Sequence, residues 1–259
     1  MSPVEGVVLF AAGAIASGIN SVAGGGSLIT FPVLTVGLRV PALIANATNA
    51  VGLFPGSLAS GLGFRDHLEK TGIYFKKLLI PTTLGSILGA LLLLNTSEIA
   101  FKIIIPFLIL LASVLLWFQP KVKAMLAKSE HHMVSPKVGL ILQFLVAAYG
   151  GYFGAGMGIM MLASFALYME GNTHELNGVK SLLGTVINFV ASIVFVIQSS
   201  VSPRPLILGS YAFVLVLGGI VGGYAAARMS LKVDPNKLRV AIAIYGFIMT
   251  AYFFYKIFA

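Results

Sequence analysis

The chain of 259 residues contains no cysteine, which excludes disulfide bonds, thiolate metal sites and cysteine nucleophiles. Charged residues are scarce as well, at 10% of the chain against roughly 25% in a soluble domain. Hydrophobic residues make up 58% instead. This composition excludes a soluble globular domain and predicts an integral membrane protein.

Acidic residues number only eight, and all of them fall near predicted segment ends or in loops. They are Glu5, Asp66, Glu69, Glu98, Glu130, Glu170, Glu175 and Asp234. The four histidines, His67, His131, His132 and His174, lie in similar places. No Ser–His pair, Asp pair or metal-ligand set therefore lies at membrane depth, which predicts a protein that is not an enzyme and has no cofactor or metal. The adjacent His131 and His132 are interpreted as part of a solvated loop.

Apolar runs of about 17 to 25 residues, the length needed to cross a bilayer, recur from end to end. We predict an all-α polytopic membrane protein with ten segments. The segments are roughly 4–23, 26–38, 41–63, 71–94, 98–118, 137–155, 157–169, 174–199, 205–228 and 237–258. Segments two and seven are too short to cross about 30 Å of hydrocarbon and each follows a glycine-rich stretch, which predicts broken or re-entrant short helices.

The net charge of +9 could suggest a nucleic-acid-binding protein, but the basic residues flank hydrophobic segments instead of forming one patch. Most of them fall in alternate loops: Arg65, Lys70, Lys76, Lys77, Lys121, Lys123, Lys128, Lys137, Arg228, Lys232, Lys237 and Arg239. The opposite loops contain only Arg39, Lys102, Arg204 and Lys256. The excess of Lys and Arg in cytoplasmic loops then predicts a multi-pass inner-membrane protein with both termini extracytoplasmic and no nucleic-acid partner.

An internal repeat is visible at an offset of about 132 residues. It predicts a first transmembrane repeat at 1–118, a cytoplasmic linker at 119–136 and a second repeat at 137–259. The glycines of 24–26 align with 156–158, and those of 84–89 align with 217–222 after one inserted residue. Five segments per half, an odd number, make the repeats inverted, which is an architecture of secondary transporters.

The glycine-rich stretches at 17–27 and 149–158 interrupt what would otherwise be membrane helices. Unwound backbone at membrane depth survives only where it is buried in protein or lines a cavity, and a half-helix N-terminus there favours an anion. Close helix packing through small residues is the alternative interpretation. Neither stretch follows a β-strand or ends in the Lys-Ser/Thr of a phosphate-binding loop, so nucleotide binding is rejected.

Lys180 lies about seven residues inside the eighth segment, roughly 10 Å along a helix. A buried ammonium in a bilayer normally has a partner or a function, and no segment interior contains an acidic residue. We therefore predict an anionic substrate as its partner, with snorkelling to the interface as the alternative. The polar residues near it could equally form hydrogen bonds between helices. The candidate substrate-binding residues are Asn20, Ser21, Gly24, Gly25, Gly26, Ser27, Thr48, Asn49, Gly156, Met157, Gly158, Lys180, Ser181 and Asn188.

Two motifs resemble the signatures of the TauE/SafE sulfite exporter family. The first is GGGSLITFPVL at 24–34, followed by Pro41 and ANATN at 45–49. The second is GAGMG at 154–158 with NGVKSLLGTVIN at 177–188. Met157 replaces one glycine of the family's second triplet, and Ser164 stands where the first half has Pro32.

The resemblance implies transport of sulfite, sulfoacetate or other sulfonates across the cytoplasmic membrane, usually as export. With the paired helix breaks it predicts an alternating-access carrier whose partners are a small anion and the lipid bilayer. The alternatives are an anion channel, a transporter of a different small organic anion, and an accessory membrane subunit.

Overall fold

The computed structural model describes residues 1–22, 24–63, 72–128, 134–171, 173–203, 205–228 and 235–258. Every regular element in these ranges is helical, which confirms the all-α prediction for them. The helices are α1 (Pro3–Val22), α2 (Ser27–Pro32, continued by a π-helical turn at Val33–Gly37), α3 (Ala42–Gly63), α4 (Gly72–Leu94), α5 (Glu98–Lys128), α6 (Pro136–Tyr152), α7 (Met157–Phe165), α8 (Thr173–Val201), α9 (Gly209–Arg228) and α10 (Pro235–Phe258). Several residues used above lie outside the described ranges: Ala23, Arg65, Asp66, His67, Glu69, Lys70, Glu130, His131, His132, Arg204, Lys232 and Asp234.

Six helices of the described chain, namely α1, α4, α5, α8, α9 and α10, are long and apolar enough to cross a membrane. They also expose large apolar side chains, such as Ile99 at 73% and Ile80 at 70%. Water would disfavour so much exposed apolar surface, whereas lipid accommodates it. The protein is therefore a multi-pass membrane protein.

Short helices occur at both predicted positions, and both are buried in the bundle. In α7, seven of nine residues are buried, and at nine residues it reaches only about 14 Å. Each short helix turns back along the helix before it. Gly26 lies against the Ala16 carbonyl of α1, and after α7 the Tyr168 ring packs on Gly139 at the start of α6.

Helix α5 continues through Pro120 to Lys128, although we predicted that this segment ends near residue 118, where the linker begins. Proline lacks an N–H and leaves the carbonyl four residues earlier unpaired, here that of Leu116. Arg239 of α10 supplies the missing donor, because its Nη1 donates to the carbonyls of Leu116 at 2.9 Å and Trp117 at 2.7 Å. The first part of the predicted linker is consequently helical.

Helix α9 begins at Gly209, four residues later than predicted, because side chains bind the preceding N–H groups. The Leu206 N–H donates to Ser199 Oγ and the Leu208 N–H to Thr48 Oγ1. Helix α7 also differs from its predicted range of 157–169: it ends at Phe165, and residues 166–168 form turns.

Glycines set the closest helix contacts. Helix α1 runs parallel to α9, and α4 runs parallel to α6, with glycines of α9 and α4 against backbone carbonyls. The pairs are Gly218 with Phe10, Gly222 with Ala14, Gly85 with Phe144 and Gly89 with Ala148. The antiparallel pair α3–α8 lies between them, and α5 pairs antiparallel with α10.

Candidate functional site

The two glycine breaks meet in the middle of the bundle. The first break spans residues 24–26 and the second 153–156. Gly24 and Gly156 have φ of +78° and +77°, a left-handed conformation that suits glycine. A Cβ on Gly24 would lie only 3.3 Å from the Gly158 Cα, so the backbones are in direct contact. Two stretches 132 residues apart in sequence therefore form one centre.

Lys180 lies at this centre and is only 2% exposed. Its Nζ donates to Asn177 Oδ1 at 2.8 Å and to the Ser21 carbonyl at 3.2 Å. Its aliphatic stem packs on Gly158, where an added Cβ would come within 3.3 Å of Lys180 Cδ. The ammonium is thus buried beside both breaks, which excludes the snorkelling interpretation for this conformation.

A small cavity of about 20 Å³ opens next to the Lys180 ammonium. Its walls come from α1 and the first break, from α3, from α7 and from α8. The lining residues are Asn20, Ser21, Gly24, Ser57, Ser60, Met157, Gly158, Met161, Lys180, Ser181 and Gly184. This volume suits about one water molecule, so the centre is too narrow here to hold an organic anion.

Hydroxyl groups are the other polar feature of this central cavity. The Ser21 hydroxyl is fully buried and has no hydrogen-bond partner among the described residues. Ser60 Oγ and Ser181 Oγ lie 3.2 Å apart across the α3–α8 contact. A buried hydroxyl without a partner is costly, and an anion oxygen beside Lys180 would satisfy it.

Seven of the fourteen predicted residues line the central cavity: Asn20, Ser21, Gly24, Met157, Gly158, Lys180 and Ser181. The other seven do not. Two of these are glycines of the breaks that contact α5 instead, since Gly25 packs on Leu116 and Gly156 on Ala112.

The predicted polar residues of α3 hold other elements in place. Thr48 Oγ1 accepts the Leu208 N–H ahead of α9, and Asn49 Nδ2 donates to Ser27 Oγ at the start of α2. Asn46 Nδ2 donates to the Tyr152 carbonyl just before the second break. Asn46 and Asn49 therefore bind chain next to the breaks, Thr48 binds chain ahead of α9, and none of the three lines the central cavity. Asn188 is buried too, and its carbonyl accepts the Ser192 hydroxyl.

Peptide N–H groups at the breaks were expected to bind the anion, but several already donate within the protein. The Gly26 N–H donates to Asn20 Oδ1 at 2.7 Å. The N–H groups of Met157 and Ile159 donate to the carbonyls of Gly154 and Gly156. These three N–H groups are therefore not free to bind a ligand in this conformation.

Sequence reasoning missed four lining residues: Ser57, Ser60, Met161 and Gly184. A signal for the two serines was available, because a spacing of three places them on one face of α3. That α3 runs antiparallel to α8, bringing Ser60 to Ser181, is visible only in the folded chain.

We expect Asn20→Ala to destabilise the protein, because it removes the acceptor of the buried Gly26 N–H. The expected loss is about 1–3 kcal/mol, the cost of an unsatisfied buried donor. Thermal unfolding in detergent measures it. Asn95→Ala is the matched control, since Asn95 is exposed just after α4 and its side-chain amide donates to the nearby Leu91 carbonyl. Equal unfolding temperatures for the two variants would contradict the role of Asn20.

The glycine and asparagine motifs that meet at this centre can be compared with those of known families. A sequence model described as sulfite exporter TauE/SafE matches residues 9–253. The chain belongs to the TauE/SafE family. The resemblance seen in the motifs is thereby confirmed. The TauE/SafE family is a family of membrane transporters and not of enzymes.

Relatives within the TauE/SafE family match nearly end to end. A "Probable membrane transporter protein" of Haemophilus influenzae is 30% identical over 94% of this chain and 92% of its own length. The "Probable membrane transporter protein YfcA" of Escherichia coli K12 is 27% identical over 98% of this chain and 91% of its own length. The "Probable membrane transporter protein ORF9" of a Sinorhizobium species is 29% identical over 91% of this chain and 89% of its own length. No solved structure matches the chain.

Proposed function

We propose that this protein is a secondary transporter of small sulfur-containing anions, such as sulfite, sulfoacetate or other sulfonates, and that it exports them by alternating access. One observation above all supports this: the Lys180 ammonium is buried where the two glycine breaks meet, beside the unpartnered Ser21 hydroxyl. A cation with hydroxyl donors matches an oxyanion, because charge-assisted hydrogen bonds to oxygen are strong. The sulfur chemistry is suggested by the family's description.

The helix packing supports two inverted repeats, 1–118 and 137–259. The contacts between α1 and α9 have counterparts between α6 and α4, with glycines four residues apart facing carbonyls four residues apart in both pairs. The two breaks and the two short helices also correspond. Such repeats place the substrate site at their interface, near the bilayer midplane.

The charge distribution supports insertion in the inner membrane with both termini outside. Both chain ends lie at the end of the bundle where α3 and α5 begin, which we call the Glu98 end. Three described basic residues lie there: Arg39, Lys102 and Lys256. The opposite end has more: Lys76, Lys77, Lys121, Lys137, Arg228, Lys237 and Arg239. The positive-inside rule assigns that end to the cytoplasm.

Cavities at both ends support alternating access over a channel. One of about 440 Å³ lies between α4, the start of α6 and Tyr168, and another of about 680 Å³ lies at the Glu98 end. Between them the central cavity holds only about 20 Å³. A narrow centre between two wider cavities is consistent with a carrier whose substrate path is constricted at the central site.

Counterflow in proteoliposomes tests this function. Vesicles preloaded with unlabelled sulfite or sulfoacetate are diluted into a trace of the labelled anion, with sulfate and chloride as comparison anions. A carrier exchanges across its closed centre, so the label should accumulate transiently above its outside concentration. Equilibration without accumulation would indicate the channel. Accumulation of chloride, and of none of the sulfur-containing anions, would reject the sulfur-anion class and keep the carrier.

A further inference from the structure

The cavity of about 680 Å³ at the Glu98 end is rich in cationic side chains. Arg39, Lys102 and Lys256 all line it, and all three are exposed. They come from three places in the chain: the turn before α3, the first turns of α5 and the end of α10. We call this the basic cavity. It is separate from the central cavity, with which it shares no lining residue.

Arg39 lines the basic cavity, and its backbone has an unusual, left-handed conformation. Its φ is +55°, a left-handed conformation that costs free energy for any residue with a Cβ. The Val40 N–H donates to the Leu34 carbonyl at 2.9 Å and closes this turn. Glycine would adopt this conformation without strain. The turn itself therefore does not require an arginine at position 39.

One carboxylate lies close to one of the three cations, Lys102, and it has other partners as well. Glu98 is 3.7 Å from Lys102 Nζ. Its two oxygens also accept the N–H groups of Ala42 at 2.9 Å and Leu43 at 3.3 Å, at the start of α3. Among the described residues, three cationic side chains and no carboxylate line the basic cavity, which gives it a positive potential.

The walls between the cations are mostly apolar, with Thr35 and Tyr252 as the polar exceptions. Val36, Ile105, Phe253 and Ile257 line them. An anion with an organic part would place its charged group among the cations and the rest against these side chains. The same chemistry is found in a sulfonate with a carbon chain and in the phosphate of a phospholipid with its acyl chains.

Packed phenylalanine rings separate the basic cavity from the second glycine break. Phe253 lines the cavity and lies 6.2 Å from the ring of Phe31, which lies 5.2 Å from that of Phe153. Phe153 is the first residue of the break, and Phe31 and Phe153 are 1% and 4% exposed. A shift of these rings would join the basic cavity to the centre.

We propose that the basic cavity is a second anion-binding site, which takes an oxyanion head group bearing an organic part. In transport, the basic cavity would be the vestibule between the central site and the outside. This role rests on the proposed transport function. Sulfonate substrate and anionic lipid share the required chemistry, and the experiment distinguishes them.

Two triple variants test the site. Arg39→Gly, Lys102→Gln and Lys256→Gln together remove the three cations and relieve the strain at residue 39. The matched control, Lys76→Gln, Lys121→Gln and Lys237→Gln, removes three exposed cations at the opposite end. Both are made in the wild type and in a Lys180→Met background, in which the central site lacks its charge.

Sulfoacetate binding is measured by calorimetry on all forms in detergent. We expect the Lys180→Met protein to retain weak, salt-sensitive binding, and the basic-cavity variant to weaken it at least about 10-fold. In proteoliposomes of the otherwise wild-type protein, the same variant should raise the apparent KM about 3- to 10-fold and leave kcat unchanged. The control triple should change neither.

A second experiment tests whether the ligand of the basic cavity is a lipid. The protein is placed in nanodiscs of phosphatidylglycerol or phosphatidylcholine, and bound lipid is counted by native mass spectrometry. Retention of phosphatidylglycerol that only the basic-cavity variant abolishes supports the site with lipid as its ligand, even if no sulfur anion is transported. If the two triple variants behave alike with sulfoacetate and with lipid, the basic cavity is not an anion site. That result leaves the transport function standing, because wild type against Lys180→Met tests it separately.

Discussion

Lys180→Met should abolish transport and weaken binding of the sulfur anion by about 10- to 100-fold. This corresponds to the roughly 1.5–3 kcal/mol of a hydrogen bond to a charged group. Methionine is chosen because the Lys180 stem packs on Gly158, so an unbranched apolar side chain preserves that contact while the charge is lost. Ligand-induced thermal stabilisation, which grows as RT ln(1 + [L]/Kd), reports the affinity.

Folding must be separated from binding in this comparison. The unfolding temperature of each variant without ligand reports folding. The shift of that temperature on adding sulfite or sulfoacetate reports binding. Lys76→Gln is the control, because Lys76 is an exposed lysine of α4 outside the central cavity. An unchanged ligand shift in Lys180→Met would show that the anion does not bind at the meeting of the breaks.

Gly89→Ala and Gly222→Ala should each lower the unfolding temperature substantially, by about 5–10 °C, because overpacking a tight contact costs roughly 1–3 kcal/mol or more. A Cβ at Gly89 would overlap the Ala148 carbonyl of α6, and one at Gly222 would overlap the Ala14 carbonyl of α1. In each case the obstacle is backbone of a neighbouring parallel helix and not a side chain that can rotate away.

The same two helices provide the controls. Gly72 at the start of α4 and Gly209 at the start of α9 would place a Cβ in open space. Gly72→Ala and Gly209→Ala should be neutral or slightly stabilising, by up to about 1 kcal/mol, since alanine restricts the unfolded chain. Similar losses at Gly89 and Gly222 would support the inverted repeat. A loss at only one of them would argue against equivalent packing in the two halves.

Most of the fold could be predicted because membrane helices follow from the length of apolar runs. Predicted and observed bounds agree within a few residues for most segments, including both short helices. The end of α5 could not be predicted, because Pro120 is a stop signal whose cost depends on a residue of another helix. Arg239 is 119 positions away in sequence, and nothing local indicates that it reaches the Leu116 carbonyl.

The candidate site was predictable where chain breaks and buried charge mark it. Lys180 and the glycines of 24 and 158 come together as expected. The polar residues of α3 were harder to assign, because a polar side chain in a membrane helix can bind a ligand or a neighbouring helix. Asn49 and Thr48 bind neighbouring elements, whereas Ser57 and Ser60 face the cavity. Which side of α3 faces α8 is decided by packing over the whole bundle.

Helix α5 touches both glycine breaks within one turn, Ala112 against Gly156 and Leu116 against Gly25. One turn further on, Arg239 of α10 donates to the Leu116 and Trp117 carbonyls next to Pro120. Moving α5 away from α10 would leave the Leu116 carbonyl unpaired, at a cost of about 1–3 kcal/mol. Helices α5 and α10 are therefore held together as a pair, and a tilt of this pair would displace the α5 residues that contact both breaks.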